Sequence, residues 1–175
     1  MNYRIGIQIL SFNKPQYLLQ TLESLMRVKN DKDKIIVFEQ SDSPEKRDEG
    51  LNICKQFNDI QVIISDKNLG QRGATNKIID SGFYDDCEYV MLTDHDNIFH
   101  ESLDIYVNKL KNDQSIWVAT GYNSPEHDIE NKDGEWLLKT TARAGHMVLR
   151  QPDFMSLTPL DEQAGVAQGC AWFNL

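Results

Sequence analysis

The chain has 175 residues and carries 27 acidic against 18 basic side chains, a net charge of -9. That length fits one domain, and an apolar fraction of 40% supports a sizeable core. Proteins that live on nucleic-acid phosphates carry a basic face, so the acidic balance argues against that class; an anionic diphosphate remains admissible if a divalent cation sits between it and the protein.

In chain order, YRIGIQIL at residues 3–10 reads as a strand, with Ile5, Ile7 and Ile9 alternating with smaller or polar residues. The loop SFNKP follows, with Asn13 a candidate cap and Pro15 an early helix residue. Leu18, Leu19, Leu22, Leu25 and Met26 recur at helical spacing and predict an amphipathic helix over 15–28. KIIVFEQ at 34–40 is a continuous apolar run, as expected of a strand buried on both faces of a parallel sheet. Ser43 and Pro44 open the next helix as cap and first-turn proline.

IQVIIS at 60–65 is a third strand, Asn68-Leu69-Gly70 a turn, and a helix is expected from about Gln71 to Ser81. EYVMLT at 88–93 is a fourth strand, ending directly on Asp94-His95-Asp96-Asn97. Leu103, Tyr106, Val107 and Leu110 predict a helix over 101–112, followed by a strand over 115–122. Regular β-α alternation of this kind specifies a parallel sheet with helices on its faces. The rhythm then breaks: 123–134 is polar and loop-like, 135–150 reads as two short strands around Gly145, and 152–157 is one helical turn. No repeat or linker interrupts the chain, so one domain is expected.

Ligands of open parallel sheets bind outside the carboxyl ends of the strands. SFNKP, EQSDS, SDKNLGQRGATN and TDHDN all arrive at that edge. Asp94 and Asp96 are the sharpest feature. Residues i and i+2 of an extended segment point the same way, and two carboxylates aimed at one point repel unless a cation joins them. As hard oxygen ligands they suit Mg²⁺ or Mn²⁺ holding phosphate oxygens. A solvated acidic turn is the plain alternative.

Several segments together resemble the family 2 type of GT-A glycosyltransferases. SFNKPQYLLQTLESL resembles the family's opening, IIVFEQSD its second strand with an acidic nucleoside contact, and NLGQRGATNKII its Asn-x-Gly-x-x-x-Ala-x-Asn segment. YVMLTDHDN resembles its D-x-D strand end, and AGHMVLRQPDF a downstream strand and turn. The resemblance covers about residues 3–160. It implies a GT-A fold, a three-layer α/β/α sandwich on a mostly parallel central sheet. It also implies metal-dependent, inverting transfer of a sugar from a nucleoside diphosphate donor, usually UDP-linked, to a glycan or other hydroxyl acceptor. Residues 1–100 would form the nucleotide-binding half and 101–175 a partial acceptor half.

By the same resemblance Ser11, Phe12 and Asn13 would line the nucleoside pocket. Glu39 or Asp42 would contact the base or ribose, since a carboxylate accepts from an imide N–H or a ribose hydroxyl. Asn68 and Gly70 would shape the donor loop, where small residues let a ligand approach the backbone, and Arg72 and Asn76 would reach ribose or phosphate. Asp96 would bind the metal, Asp94 the ribose or the metal, and His95 would point away. His146 is a further candidate metal ligand, with a structural histidine as the alternative. Arg143 and Arg150 are candidates to neutralise the leaving diphosphate.

An inverting transferase needs a base for the acceptor proton. The family's usual acidic pair before an aromatic is missing from Gly169-Cys170-Ala171-Trp172-Phe173, so Asp161 and Glu162 are taken as the base region. The chain ends at Trp172-Phe173-Asn174-Leu175, earlier than GT-A enzymes normally do. A minimal enzyme, a truncated piece or a partner-completed site are the alternatives, and exposed Trp172 and Phe173 would favour a homo-oligomer.

Three other classes compete. A nucleotide-sugar binding domain without transfer would explain the missing base. A sugar nucleotidylyltransferase would need a Gly-rich basic loop where SFNKP stands, and a receiver domain would need acids at Ser11-Phe12-Asn13. The three cysteines, Cys54, Cys87 and Cys170, form no CxxC pair. With no signal-peptide pattern and no apolar run approaching the ~20 residues of a membrane helix, a cytoplasmic protein is expected.

Overall fold

The computed structural model describes residues 2–121, 131–139 and 146–160. Five elements repeat the expected alternation: β1 (Tyr3–Ser11), α1 (Pro15–Val28), β2 (Lys34–Glu39), α2 (Pro44–Cys54) and β3 (Ile60–Ile64). Then come α3 (Gly70–Asp80), β4 (Cys87–Asp94), α4 (Asp104–Asn112) and β5 (Val118–Thr120). A hairpin, β6 (Asn131–Asp133) and β7 (Trp136–Leu138), precedes β8 (His146–Arg150) and the short α5 (Gln151–Ser156).

The main sheet has six strands in the order β3-β2-β1-β4-β8-β5. Its β3, β2, β1 and β4 strands run parallel. The sequence placed the next strand in the same parallel series. Instead β8 inserts antiparallel between β4 and β5, with Thr93 opposite His146 and Tyr89 opposite Arg150. One consequence corrects the sequence reading. Arg150 lies at the end of the sheet remote from Asp94, about five strand residues or roughly 16 Å away. Its guanidinium is bonded to Asp153 and the Ile116 and Asp113 carbonyls, so it is a structural cation there.

Both faces of the sheet are covered. Ile5, Ile7, Ile9, Ile35 and Val37 pack against Leu18, Leu22 and Leu25 of α1, Ile53 of α2, and Val107 and Leu110 of α4. The alternate residues, Leu10, Ile36, Phe38, Val90 and Leu92, meet Ala74 and Ile78 of α3 and Phe154 of α5. Period-2 alternation with both sets apolar thus yields the expected α/β/α sandwich. A buried polar chain joins α3 to the sheet: the Tyr84 hydroxyl donates to Gln8 Oε1 at 2.8 Å, and Gln8 Nε2 donates to Thr75 Oγ1 at 2.9 Å.

Ser43 caps α2 as expected, accepting from the Lys46 amide at 3.2 Å. Asn13 does not cap α1; it sits at φ 57°, in the left-handed region that asparagine tolerates, and its side chain turns to the β2–α2 loop. The polar segment read as loop contains β6, and Gly134 at φ 59° supplies the tight turn into β7.

Gly6 on β1 faces Tyr84 and Cys87 so closely that a Cβ would lie 2.8 Å from Cys87 Sγ and 3.0 Å from the Tyr84 ring. Gly6→Ala should therefore destabilise the domain by about 1–3 kcal/mol through overpacking, read as a lower urea midpoint at unchanged slope.

Candidate active site

The carboxyl ends of β1, β2 and β4 and the start of α3 converge on one edge, where most of the sequence-predicted residues gather. Asp94 closes β4, while His95 and Asp96 form a turn rather than continuing the extended strand. The same-side argument from strand periodicity therefore does not apply. The two carboxylates are nonetheless neighbours: the charge of Asp96 raises the pKa of Asp94. Asp96 itself is exposed and Asp94 half-buried.

Burial first, and then Asp96, push the Asp94 carboxyl up to about 6. Gln71 Nε2, from the first turn of α3, donates to both Asp94 oxygens at 3.2 and 3.4 Å and works against that shift. Gln71 was not among the residues the sequence singled out, because nothing local shows that α3 begins against the end of β4. Among the described residues no group of three or more His, Cys, Asp or Glu side chains forms a ready-made ion cage. As hard oxygen donors, Asp94 and Asp96 could hold a divalent ion completed by ligand oxygens and water, the usual habit of Mg²⁺.

The turn after β4 is held from behind. His95 donates through its amide and Nδ1 to the Leu10 carbonyl at 3.1 and 3.0 Å. Its ring stacks near Tyr17, with centroids 6.5 Å apart, and so faces away from the acidic pair, as expected. Two buried polar residues of α1 complete the support. Thr21 Oγ1 donates to the His95 carbonyl at 2.6 Å, and Ser24 Oγ accepts from the Phe99 amide at 3.1 Å. Asn97 Nδ2 reaches back to Thr93 Oγ1 at 3.0 Å. Polar Thr21 and Ser24 on an otherwise apolar helix face were the available signal for this, and the sequence reading passed over them.

At the ends of β1 and β2, Ser11 and Glu39 are almost fully buried and bonded to each other. Ser11 Oγ donates to Glu39 Oε2 at 2.6 Å, and Glu39 Oε1 accepts from the Ser41 amide at 2.8 Å. Glu39 fills the space that Gly50 leaves, where a Cβ would lie 2.5 Å from Oε2. Its carboxylate thus ties the ends of β1 and β2 together. Asp42 is exposed at the edge. It is clasped reciprocally by Asn13, whose Nδ2 donates to Asp42 Oδ2 at 2.9 Å while Oδ1 accepts from the Asp42 amide at 3.1 Å. Phe12 and Asn13 are half-buried beside it.

In the donor loop, Asn68 Oδ1 accepts from the Gly70 amide at 2.8 Å, which makes Asn68 a turn residue. Gly70, at φ 68°, has open space where a Cβ would stand. Arg72 lies half-buried in the first turn of α3. Asn76 brackets the backbone of Leu160, donating to its carbonyl at 2.8 Å and accepting from its amide at 2.9 Å. The Asn76 side chain is therefore occupied by the chain itself, and it anchors the residue immediately before Asp161. Asp161, Glu162 and Arg143 lie outside the described residues.

His146 stands opposite Thr93, next to the acidic pair in the sheet register. Its Nε2 accepts from the Gly121 amide at 3.1 Å and lies 3.0 Å from the Tyr106 hydroxyl. Burial holds the ring below the ordinary imidazole range, and Nδ1 is buried without a hydrogen-bond partner among the described residues. His146, a candidate metal ligand from the sequence, thus has its Nε2 engaged with α4 and the residue after β5.

This arrangement, a sheet edge where a buried-strand acid, a second acid and a glycine-opened helix meet, is that of the GT-A class of nucleotide-diphospho-sugar folds. The family model for glycosyl transferase family 2 matches residues 7–160, and the chain belongs to that family. No curated protein sequence matches it. Among solved structures, a mannosyltransferase, PcManGT from Pyrobaculum calidifontis in complex with GDP-Man and Mn²⁺, superposes with a TM-score of 0.67 at 12% identity. The match covers 97% of this chain and 50% of that one. TarS residues 1–349 from S. aureus superposes with a TM-score of 0.64 at 13% identity, covering 95% of this chain and 52% of that one. The chain thus spans about half the length of these two solved structures.

The raised pKa has a defined sign. Ionising Asp94 costs the folded state more than the unfolded one, so this contribution to stability is fully present below the ordinary 3.8 and is lost as pH rises through about 6. Asp94→Asn, which keeps an acceptor for Gln71, should stabilise the metal-free protein by about 2 kcal/mol near neutral pH. Urea melts over a pH series should show that gain shrinking toward pH 4.

Proposed function

We propose that this domain binds a nucleoside diphosphate sugar at the Asp94–Asp96 edge and transfers the sugar to an acceptor hydroxyl, with inversion. The observation that carries the reading is Asp94, a half-buried carboxylate at the end of a core strand and crowded by Asp96. A divalent cation relieves both penalties together, and the hard oxygen donors fit Mn²⁺ or Mg²⁺. When bound, such an ion acts as a Lewis acid on the departing diphosphate.

The chain's own residues do the rest. Asp96, exposed, and Asp94, steadied by Gln71, would hold the ion, with Asp94 also within the family's ribose position. Ser11, Phe12 and Asn13 would line the nucleoside pocket, with Asp42 as the carboxylate that accepts from the base or ribose. Glu39 would act by fixing that loop. Asn68 and Gly70 would leave the backbone open to the diphosphate, and Arg72 would reach toward it. Asp161 or Glu162 would take the acceptor proton; both follow Leu160, which Asn76 ties to α3. His146 would support the acidic turn through β8 rather than bind the ion.

The donor is read as a hexosyl or N-acetylhexosaminyl nucleotide, with UDP as the family's usual carrier; GDP is weighed equally because PcManGT was solved with GDP-Man. Residues 1–100 would serve the donor and 101–175 the acceptor. A cytoplasmic location rests on Cys54 and Cys87, both buried and unpaired. Among the described residues no helix is long and apolar enough to cross a membrane.

Thermal melts with UDP or GDP, with and without Mn²⁺, test the reading. A ligand at a hundredfold excess over its dissociation constant stabilises by about 2.7 kcal/mol. A Mn²⁺-dependent shift that disappears in Asp96→Ala is expected; no shift with any nucleoside diphosphate contradicts the proposal. Donor binding without sugar release or transfer would leave a binding domain instead.

A second test uses pH. Because Asp94 must be ionised to hold the cation, Mn²⁺ affinity should fall about tenfold per unit below the Asp94 pKa and level off above it. Calorimetric titration in two buffers of different ionisation enthalpy should also register proton release near pH 6, absent in Asp94→Asn.

A further inference from the structure

Helix α3 starts without a cap of its own. Its N-cap residue is Leu69, whose side chain offers no acceptor, and its third residue is Arg72, whose guanidinium only donates. The acceptor that a capping box would offer to the N-cap amide is therefore missing from the local sequence. It comes from a strand instead. Gln40, directly after β2 and only 4% exposed, accepts from the Leu69 amide through Oε1 at 2.9 Å. The Gln40 amide donates to the Ser11 carbonyl at 3.1 Å, so this side chain stands on backbone fixed to β1. Two residues beyond Leu69, Gln71 Nε2 meets both oxygens of Asp94. Gly70 stands between them at φ 68°, a conformation only glycine adopts without strain and one that leaves the helix start free to shift unless it is held. Arg47 adds an outer tie between the same two loops: Nη1 donates to the Ser41 carbonyl at 2.8 Å and the Asp66 carbonyl at 3.5 Å.

We propose that Gln40 is a positioning residue for the metal site: by holding the start of α3 it sets Gln71 against Asp94. The metal role rests on the reading of Asp94 and Asp96 as the ion's ligands; the tie from Gln40 to α3 does not. Gln40 acts through Leu69 and Gln71 and touches neither acid in this account. The chain of bonds runs from β1 through the end of β2 to the first turn of α3, and from there to the end of β4. A polar residue kept only to satisfy a buried loop would affect folding and leave ion affinity alone. A residue that orients a ligand's partner affects the ion as well, since groups that steady a metal ligand typically contribute about ten- to a hundredfold in affinity.

Calorimetric titration of Mn²⁺ into the wild type, Gln40→Met, Gln71→Met and the double variant tests this. Methionine fills similar space without an amide, and Gln40→Leu is made alongside so that a linear and a branched replacement are both read. Gly6→Ala serves as a destabilised control within the sheet. Urea melts check that each variant folds, and amide hydrogen exchange is followed at Leu69 and Gln71 in the metal-free protein. Each single glutamine variant should bind Mn²⁺ about tenfold more weakly. The double variant should lose about as much as either single one, where independent effects would multiply to roughly a hundredfold. Gly6→Ala should bind as the wild type does, and exchange at Leu69 and Gln71 should quicken in Gln40→Met. Wild-type affinity in the Gln40 variants, a roughly hundredfold loss in the double variant, an equal loss in Gly6→Ala, or unchanged exchange at Leu69 overturns the proposal. A wild type that binds no Mn²⁺, with exchange still quickened in Gln40→Met, removes the metal reading and the metal role of Gln40 with it, and leaves only its tie to α3.

Discussion

Asp94 is held where its charge is costly. The strand that carries it is buried from Tyr89 to Thr93, the residue itself is half-buried, and Asp96 adds a like charge beside it. A fold that wanted only stability would place a neutral residue there. The domain instead surrounds the pair with polar supports: Gln71 from α3, His95 turned back to β1, and Thr21 and Ser24 rising from α1. His95, Thr21 and Ser24 fix the backbone on either side, and Gln71 holds the Asp94 carboxylate itself. In the proposed reading a divalent cation would offset this repulsion, at the edge where open α/β sheets receive ligands.

The remainder of the edge follows from the same economy of flexible parts. Glu39 is consumed in joining β1 to β2. Asn13 and Asp42 exchange bonds across the two loops, and Arg47 holds the second loop through the Ser41 carbonyl at 2.8 Å. The polar residues that a ligand would touch therefore rest on a layer of polar residues that it would not. Such a layer limits the reorganisation required when a charged ligand arrives, which is where preorganised sites gain their strength.

Much of this was legible in the chain because each strand announces itself. Continuous apolar runs such as KIIVFE, separated by capped amphipathic helices, leave little choice but a covered parallel sheet, and the polar strand ends then mark the site. What the residues could not show was direction and crossing. HMVLR reads the same whether it runs parallel or antiparallel, so the insertion of β8 and the removal of Arg150 to the far end were invisible. Helix propensity says nothing about which residue of α3 will face β4, so Gln71 was missed. Residue type alone cannot show burial, so Glu39 and Asp42 stood as equals in the sequence although the fold buries the first and exposes the second.

The central claim is positional: one divalent ion, bound by Asp94 and Asp96, between the protein and a diphosphate. Crystals grown with Mn²⁺ and either UDP or GDP measure it directly through the anomalous scattering of manganese. The account predicts one strong anomalous peak within coordination distance of an oxygen from each aspartate, with phosphate oxygens completing the shell. A nucleotide bound without manganese at that point, or manganese bound elsewhere with both carboxylates left to solvent, would contradict it.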